Sequence, residues 1–388
     1  MSSSTARADV VIVGAGVVGA ATAYFAALVG LSVIVVERGS IASGTSSRCE
    51  GNVLVSDKEV GPELELSLYS QRVWREDLAE YADLWEFESK GGLVVARSES
   101  SMRALADLVA HQRTLGIRAD MIDDIAGVRA LEPYINPALA GGAFYPDDAQ
   151  VQPLLATHQL LRLAREHGAQ VRTRTAVHGI LTSGGRAEGV ETSAGRISAG
   201  AVINCAGPWS GELAALAGVH LPVLPRRGFV LVTEPVPVTV HHKVYAAEYV
   251  GDVASSDAGL QVSPVVEGTP SGTILMGASR ERVGFDRTFS ADAVARIAAS
   301  GLGLFPALRD VGVQRAYSGF RPYCPDHLPA IGEDARMPGL WHAAGHEGAG
   351  VGLSVGTGKL LAQALRGEQT DLDLAPFRPD RLEGVAAA

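Results

Sequence analysis

The hydrophobic pattern near the start of the chain predicts a strand, a helix and a second strand. Val10–Val13 is a short, continuous apolar run, as in a parallel strand that is covered on both faces. An alanine-rich helix is expected through about Leu28, and a second apolar run, Leu31–Val36, stops at Glu37. This order of elements is typical of a parallel sheet in an α/β domain.

Glycines fill the turn between the first strand and the helix. Gly14, Gly16 and Gly19 match the pattern GxGxxG. Gly14 permits the tight turn, Gly16 lets the backbone approach a pyrophosphate, and Gly19 allows the helix to pack closely on the strand. The helix N-terminus would bind the phosphates, and Glu37 would accept hydrogen bonds from a ribose diol. The unit predicts a dinucleotide but does not distinguish FAD from NAD.

Length and composition indicate a globular protein with two structural domains. The chain has 388 residues, of which 47% are hydrophobic and 20% charged, and its mean hydropathy is +0.15. No apolar stretch is long enough to cross a bilayer, and Met1–Asp9 lacks the pattern of a signal peptide, so we expect a cytoplasmic location. The net charge of −10 disfavours nucleic acid as a partner.

The cysteines and histidines show no pattern typical of a metal site. Cys49, Cys205 and Cys324 are far apart and form no CxxC pair, which also argues against a disulfide framework. The pair His241-His242 has no acidic or thiol companion at metal-ligand spacing. We therefore predict no metal site, and we interpret each cysteine as a small buried hydrophobic residue.

Five further segments resemble, in the same order along the chain, the D-amino-acid oxidase superfamily of flavoenzymes, which includes glycine oxidase, sarcosine oxidase and D-amino-acid dehydrogenases. The segments are 43–52, 201–210, 276–286, 319–332 and 345–353. In that family the first covers the flavin, the second and fifth return to FAD, the third belongs to the substrate domain and the fourth carries an arginine. The resemblance implies that the dinucleotide is FAD.

Together with the glycine turn, the resemblance implies a set of FAD-binding positions. They are Gly14, Gly16, Val18, Gly19, Glu37, Arg38, Gly44, Thr45, Ser46, Ser47, Gly51, Asn52, Val177, Ala206, Gly207, Trp209, Gly345, Glu347, Gly348, Gly350 and Val351. Cys324 is offset from the cysteine by which sarcosine oxidases link FAD, so we predict a non-covalent flavin. Leu275 and Met276 stand where those oxidases place an oxygen-activating lysine, which puts rapid use of dioxygen in doubt.

Five residues are candidates for the substrate side of the site. The resemblance implies that Arg321 holds a substrate carboxylate, for which its planar guanidinium is suited, although a structural salt bridge is the alternative. Tyr245 and Tyr249 would cover the substrate, or else pack within the sheet. Arg48 could face the flavin, an anionic substrate or a phosphate. His346 would lie at the flavin edge near the substrate, or serve as a hydrogen-bonding spacer.

The order of the motifs predicts the division of the chain into domains. Residues 1–85, 145–220 and 318–388 would form a Rossmann-type α/β FAD-binding domain of discontinuous segments. Residues 86–144 and 221–317 would form a second, mainly antiparallel-sheet α+β substrate-binding domain. The run Gly228–Thr233, which is bounded by prolines, is typical of a strand in that second sheet.

The finer resemblance is to the flavoprotein subunits of opine oxidase, hydrogen cyanide synthase and D-hydroxyproline dehydrogenase, and it rests on Arg48–Asn52, Arg226–Gly228 and Gly345–Gly350. It implies hetero-oligomers with iron–sulfur partner chains. It also implies oxidation of the carbon–nitrogen bond of an amino acid or secondary amine, such as an opine or D-hydroxyproline, by hydride transfer to flavin, with hydrolysis of the imine. The alternatives are a self-contained oxidase of glycine, sarcosine or D-amino acids that makes hydrogen peroxide, and a non-catalytic, flavin-holding electron-relay subunit.

Overall fold

The computed structural model describes residues 6–249 and 255–385. In chain order, the strands of these residues are β1 (Ala6–Val13), β2 (Val33–Val36), β3 (Asn52–Val53), β4 (Gly92–Ala96), β5 (Asp120–Ile122), β6 (Gly141–Tyr145), β7 (Ala149–Gln150), β8 (Gln170–Arg172), β9 (Val177–Ser183), β10 (Arg186–Thr192), β11 (Gly195–Asn204), β12 (Leu224–Thr233), β13 (Lys243–Ala246), β14 (Gln261–Gly268), β15 (Ile274–Arg280), β16 (Val313–Tyr323), β17 (Ala330–Glu333) and β18 (Leu340–Ala344).

The α-helices of the same residues are α1 (Val17–Leu28), α2 (Pro62–Arg72), α3 (Glu99–Thr114), α4 (Ile125–Leu131), α5 (Pro153–Glu166), α6 (Ser210–Ala215), α7 (Ala291–Leu304) and α8 (Gly350–Leu365). Within the ranges that the structure describes, none of them combines the length and the apolar character that crossing a bilayer requires.

The first sheet contains the predicted βαβ unit. Its strand order is β17-β18-β11-β1-β2-β8, and β10 and β9 extend it beside β11. β1 pairs in parallel with β2 and β11, so that Val10 lies opposite both Val33 and Ala201. All four residues of β2 are buried, which explains its unbroken apolar run. α1 packs against α5 and α8 on this sheet, where their apolar residues form one core cluster.

The second sheet has the order β16-β12-β15-β14-β13-β4-β6-β5. Its neighbours are antiparallel except β13 and β4, which are parallel. α7 packs on one face, against β12, β14 and β15. The other face contributes to a separate cluster with α3. The predicted fold class is confirmed: a Rossmann-type α/β sheet accompanies a mainly antiparallel sheet with helices.

The strand β16 crosses a predicted domain boundary, and β6 (Gly141–Tyr145) crosses the one at residue 145 by its last residue. β16 pairs with β12 along its whole length, from Val313 opposite Thr233 to Tyr323 opposite Leu224. The predicted boundary at residue 318 falls inside this strand, and Arg321 lies beyond it. We therefore propose that the boundary lies after Tyr323, which leaves Arg321 on the second sheet. The remaining boundaries stay predictions.

Candidate active site

A cavity of about 790 Å³ is lined by residues of both sheets. Val13 and Val36 reach it from the ends of β1 and β2, and Val17 reaches it from the start of α1. β12 and β16 contribute from the other side. The carboxyl ends of parallel strands are where open α/β sheets bind their ligands, so the cavity lies where a dinucleotide is expected.

The turn before α1 requires glycine at position 14, and the packing of α1 on that turn requires glycine at position 19. Gly14 has a φ of +114°, and a Cβ atom there would lie 2.3 Å from the carbonyl oxygen of Cys205. A Cβ atom on Gly19 would lie 2.1 Å from the carbonyl oxygen of Gly14. The Val17 N–H donates a hydrogen bond of 2.9 Å to Oγ of Ser46. The turn, the helix start and the hydroxyl-rich loop therefore form one cradle.

Glu37 and Arg38 follow β2 at the same edge of the sheet. The Glu37 carboxylate accepts hydrogen bonds from the Ala15 N–H, at 3.0 Å, and from the Gly39 N–H, at 2.7 Å. Because an ionised carboxylate has about four acceptor sites, it can still accept bonds from ribose hydroxyls. The Arg38 guanidinium lies 4.0 Å above the ring of Trp209, which is stacked in parallel on Phe285.

Arg321 reaches the cavity from β16. Its Nη1 donates a hydrogen bond of 2.7 Å to the carbonyl oxygen of Ser279, and it forms no ion pair within residues 6–249 and 255–385. Gly228 on β12 makes room for it, since a Cβ atom there would lie 2.2 Å from Nη1. The structural salt bridge that was the alternative role for Arg321 is therefore not formed among these residues, and the guanidinium can still bind an anion.

β16 also holds the hydroxyl-rich loop that precedes β3. Oγ1 of Thr45 donates to the carbonyl oxygen of Phe320 at 2.6 Å, and the hydroxyl of Tyr317 donates to the carbonyl oxygen of Cys49 at 3.2 Å. Nη1 of Arg48 donates to the carbonyl oxygen of Ser318 at 3.1 Å. Arg48 lines the cavity but is exposed, which places it at the rim.

The two candidate tyrosines lie at different depths from the cavity. Tyr249 lines the cavity and is 5% exposed. The structure does not bring Tyr245 to the cavity wall: it is fully buried behind Tyr249, with ring centroids 5.3 Å apart, and its hydroxyl donates to Oγ of Ser56. Tyr245 lies within β13, where every residue is buried, so its side chain packs inside the sheet layer.

His346 and Glu347 precede α8. His346 lines the cavity, and burial lowers its pKa to about 3, so the imidazole is neutral; its Nε2 lies 3.1 Å from Oγ1 of Thr357. The Glu347 carboxylate lies 2.9 Å from Nδ1 of His327 and 3.7 Å from Nη1 of Arg226. Because protein groups already surround that carboxylate, we expect Glu347 to meet a cofactor through its backbone.

Most of the predicted site residues line the cavity. These are Gly14, Gly16, Val18, Glu37, Arg38, Gly44, Thr45, Ser46, Arg48, Asn52, Val177, Ala206, Gly207, Trp209, Tyr249, Arg321, His346, Glu347, Gly348, Gly350 and Val351. The structure does not place Gly19, Ser47, Gly51, Gly345 or Tyr245 in its lining. Of these, Gly19 acts indirectly, because it lets α1 pack against the turn.

Sequence reasoning missed Glu50, Cys49 and Gly228, which also line the cavity. Glu50 is 7% exposed, and burial raises its pKa. Glu50 and Gly228 lie in two of the segments that carry the finer resemblance, Arg48–Asn52 and Arg226–Gly228, but neither was singled out as a site residue. The role of Gly228 depends on Arg321, which is remote in sequence.

The residues of the cavity fit a flavin dinucleotide. The volume of the cavity falls in the range of about 300–1,000 Å³ that is typical of ligand pockets. Oδ1 of Asn52 and Oε1 of Glu50 belong to residues of its wall and are buried, and neither has a hydrogen-bond partner within the described part of the chain. Such buried polar atoms are costly unless a ligand or water supplies the missing bond.

The cysteines bear on how the flavin is held. All three are free thiols, and burial raises the pKa of Cys49 and of Cys205, which line the cavity, to about 12. Cys324 is not in the lining of the cavity, and its Sγ lies 3.2 Å from Oδ1 of Asp326. Since the thiolate is the reactive form of cysteine, these pKa shifts support the prediction of a non-covalent flavin.

The chain is similar to known flavoenzymes along almost its whole length. The family model "FAD dependent oxidoreductase" matches residues 9–364. Glycine oxidase from Geobacillus kaustophilus is 31% identical over 96% of this chain and 97% of its own. The hydrogen cyanide synthase subunit HcnC from Pseudomonas aeruginosa is 29% identical over 84% of this chain and 75% of its own.

The crystal structure of glycine oxidase from Geobacillus kaustophilus superposes with a TM-score of 0.88, at 28% identity, over 97% of this chain and 99% of that one. This likeness confirms the resemblance found in the sequence motifs, and with it the prediction of FAD as the cofactor. The chain therefore belongs to the FAD-dependent oxidoreductase family, and it is an FAD-dependent enzyme that oxidises amines or amino acids.

Proposed function

We propose that the enzyme oxidises the carbon–nitrogen bond of an amino acid or of a secondary amine that bears a carboxylate, such as an opine or D-hydroxyproline. One observation carries this proposal: Arg321 lines the cavity with no carboxylate partner among the described residues. A guanidinium in that state is suited to a two-pronged bond with a substrate carboxylate.

The protein's own contribution to the reaction is positioning. Bound FAD would supply the acceptor for the hydride of the α-carbon, and water would hydrolyse the imine product. Arg321 would fix the carboxylate end of the substrate, and the buried ring of Tyr249 would limit access of water. Neutral His346 adds no charge to the wall. Holding the reacting atoms in line can account for a large part of a rate enhancement.

Two observations bear on the electron acceptor. Met276 packs beneath α7, since a Cβ atom on Gly301 would lie 2.6 Å from its Sδ, and neither Met276 nor Leu275 lines the cavity. This supports a dehydrogenase, which would use iron–sulfur partner chains in the cytoplasm. The 31% identity to glycine oxidase favours the second candidate, a self-contained oxidase that produces hydrogen peroxide.

The flavin spectrum of the purified holoenzyme tests the proposal. We expect anaerobic bleaching by at least one of D-amino acids, glycine, sarcosine, proline derivatives and opines. Slow recovery of colour in air would support the dehydrogenase, whereas rapid recovery with one peroxide per substrate would establish the oxidase. A flavin that no amine reduces would overturn both and leave the electron-relay subunit as the surviving interpretation.

A further inference from the structure

Glu50 is a buried acid at the cavity wall that the functions proposed above leave unused. Its side chain is 7% exposed, and Oε1 has no hydrogen-bond partner among the residues that the structure describes. Gly277 on β15 leaves the space that this carboxyl group fills, because a Cβ atom there would lie 2.1 Å from Oε1 and 2.8 Å from Cδ. Any residue other than glycine at position 277 would displace the Glu50 carboxyl group.

The cation that most strongly opposes the raised pKa of Glu50 is already paired with another acid. Nζ of the fully buried Lys243 forms an ion pair with Oε2 of Glu267, whereas Glu50 forms no ion pair in the two described stretches of the chain. Glu267 also accepts a long hydrogen bond of 3.5 Å from the Gly51 N–H, next to Glu50. Lys243 is therefore committed to Glu267, and the carboxyl group of Glu50 keeps an open acceptor site.

Charged and titratable groups face Glu50 from every element around it. They are Lys243 on β13, Glu267 on β14, Arg280 on β15, Tyr317 and Arg321 on β16, Cys49 in its own loop, and Tyr249. Burial is the largest influence on Glu50 and raises its pKa, while Lys243, Arg321 and Arg280 oppose that shift. A further cation beside the carboxyl group of Glu50 would offset the cost of burying it in its ionised form.

The carboxyl group of Glu50 and the guanidinium of Arg321 line the same cavity. An amino acid has the complementary pair, a carboxylate at one end and an ammonium group at the other. We propose that Glu50 binds the amine nitrogen of the substrate while Arg321 binds its carboxylate. The inference rests on the proposed function and deepens it, because it assigns the group that recognises the amine of the substrate.

Two inert ligands can test this role without any redox step. 2-Aminoisobutyrate carries an amine and a carboxylate, and pivalate replaces that amine with a methyl group at nearly the same volume. Neither has an α-hydrogen, so the flavin of the holoenzyme stays oxidised and its spectral shift reports binding alone. We expect the wild type to bind 2-aminoisobutyrate about tenfold to a hundredfold more tightly than pivalate, the range of a charge-assisted hydrogen bond.

The variant Glu50→Gln keeps the shape of the side chain and removes its charge. We expect it to lose most of the preference for 2-aminoisobutyrate while the affinity for pivalate changes less than about threefold. Glu212→Gln is the matched control: Glu212 lines the same cavity from α6 but is exposed, and its substitution should leave the preference unchanged.

Several results would overturn the inference. A wild type that does not prefer 2-aminoisobutyrate contradicts it without any variant, so the test holds even where Glu50→Gln does not fold. A folded Glu50→Gln protein that keeps the preference for 2-aminoisobutyrate also contradicts it. So does a folded variant that binds both ligands more weakly by the same factor. Failure of the proposed function is a separate result, because it shows as a wild-type flavin that no amine bleaches.

Discussion

The two sides of the cavity are built from different kinds of groups. On the side of the first sheet, a glycine turn and a helix start present backbone groups to the cavity, and Ser46 and Glu37 support that turn through hydrogen bonds to its N–H groups. On the side of the second sheet, side chains such as Arg321, Tyr249 and Val230 form the wall. A backbone cradle depends on residues that are close in sequence, whereas a set of side chains depends on the tertiary fold.

The largest expected effect of a substitution is at the wall of the cavity that the first sheet forms. Gly14→Ala should abolish FAD binding, because it forces a side chain into a φ of +114° and against the carbonyl oxygen of Cys205. The ratio of flavin to protein absorbance after purification measures the loss. Gly179→Ala is the control, since a Cβ atom there is 3.7 Å from its neighbour on Glu191. Full flavin content in Gly14→Ala would refute the claim that the turn requires glycine.

At the wall that the second sheet forms, we expect the charge of Arg321 to have the largest effect on catalysis. Arg321→Ala should lower kcat/KM by about tenfold to a hundredfold, through the loss of about 1.5–3 kcal/mol of charge-assisted bonding. Flavin content should stay normal, because the cofactor is held by the other side. Arg315→Ala, an exposed substitution on the same strand, should change neither quantity. Equal losses in both variants would point to disruption of β16 instead.

A smaller effect should appear in the pH dependence of stability. Burial lowers the pKa of His346 to about 3 in the folded protein, so below its ordinary value of 6.5 the unfolded chain binds a proton that the folded chain does not. Stability should therefore fall as the pH drops from about 6.5 towards 3. At pH 5.5 the loss should be on the order of 1 kcal/mol relative to pH 7.5.

His346→Gln should lack this contribution, because glutamine does not titrate. Chemical denaturation of both holoenzymes at pH 5.5 and 7.5 gives the difference. Identical pH dependences would mean that water or a ligand solvates the imidazole of His346 in solution.

The smallest expected effects distinguish Tyr245, which is buried within β13, from Tyr249, which lines the cavity. Tyr245→Phe should cost about 1 kcal/mol of unfolding free energy, because it removes a buried hydrogen bond to Ser56, yet leave KM unchanged. Tyr249→Phe, at the cavity wall, should instead alter KM by a few-fold. Thermal denaturation and steady-state kinetics of the two variants provide the comparison, and a raised KM in Tyr245→Phe alone would reverse the assignment.

The contrast between the two sides also explains how far the sequence could be interpreted. Gly14, Glu37 and the apolar run of β2 lie within one short stretch, so their local pattern predicted the βαβ unit and its position at the cavity. Glu50 meets Gly277 and lies near Lys243, both more than a hundred residues away, and no local pattern encodes such an encounter. Tyr245 and Tyr249 looked equivalent because burial within β13 is decided by neighbouring strands.

The stack of Arg38, Trp209 and Phe285 has an optical consequence. The chain has four tryptophans, and of these Trp209 is the one in the lining of the cavity. Trp74 and Trp85 lie edge to face inside the core of the first sheet, where their emission reports on the integrity of that core. Trp209 is in contact with a guanidinium and a second ring at the wall, so its emission responds to whatever occupies the space beside it. The fold thus contains a fluorophore for the cavity and a separate pair for the core.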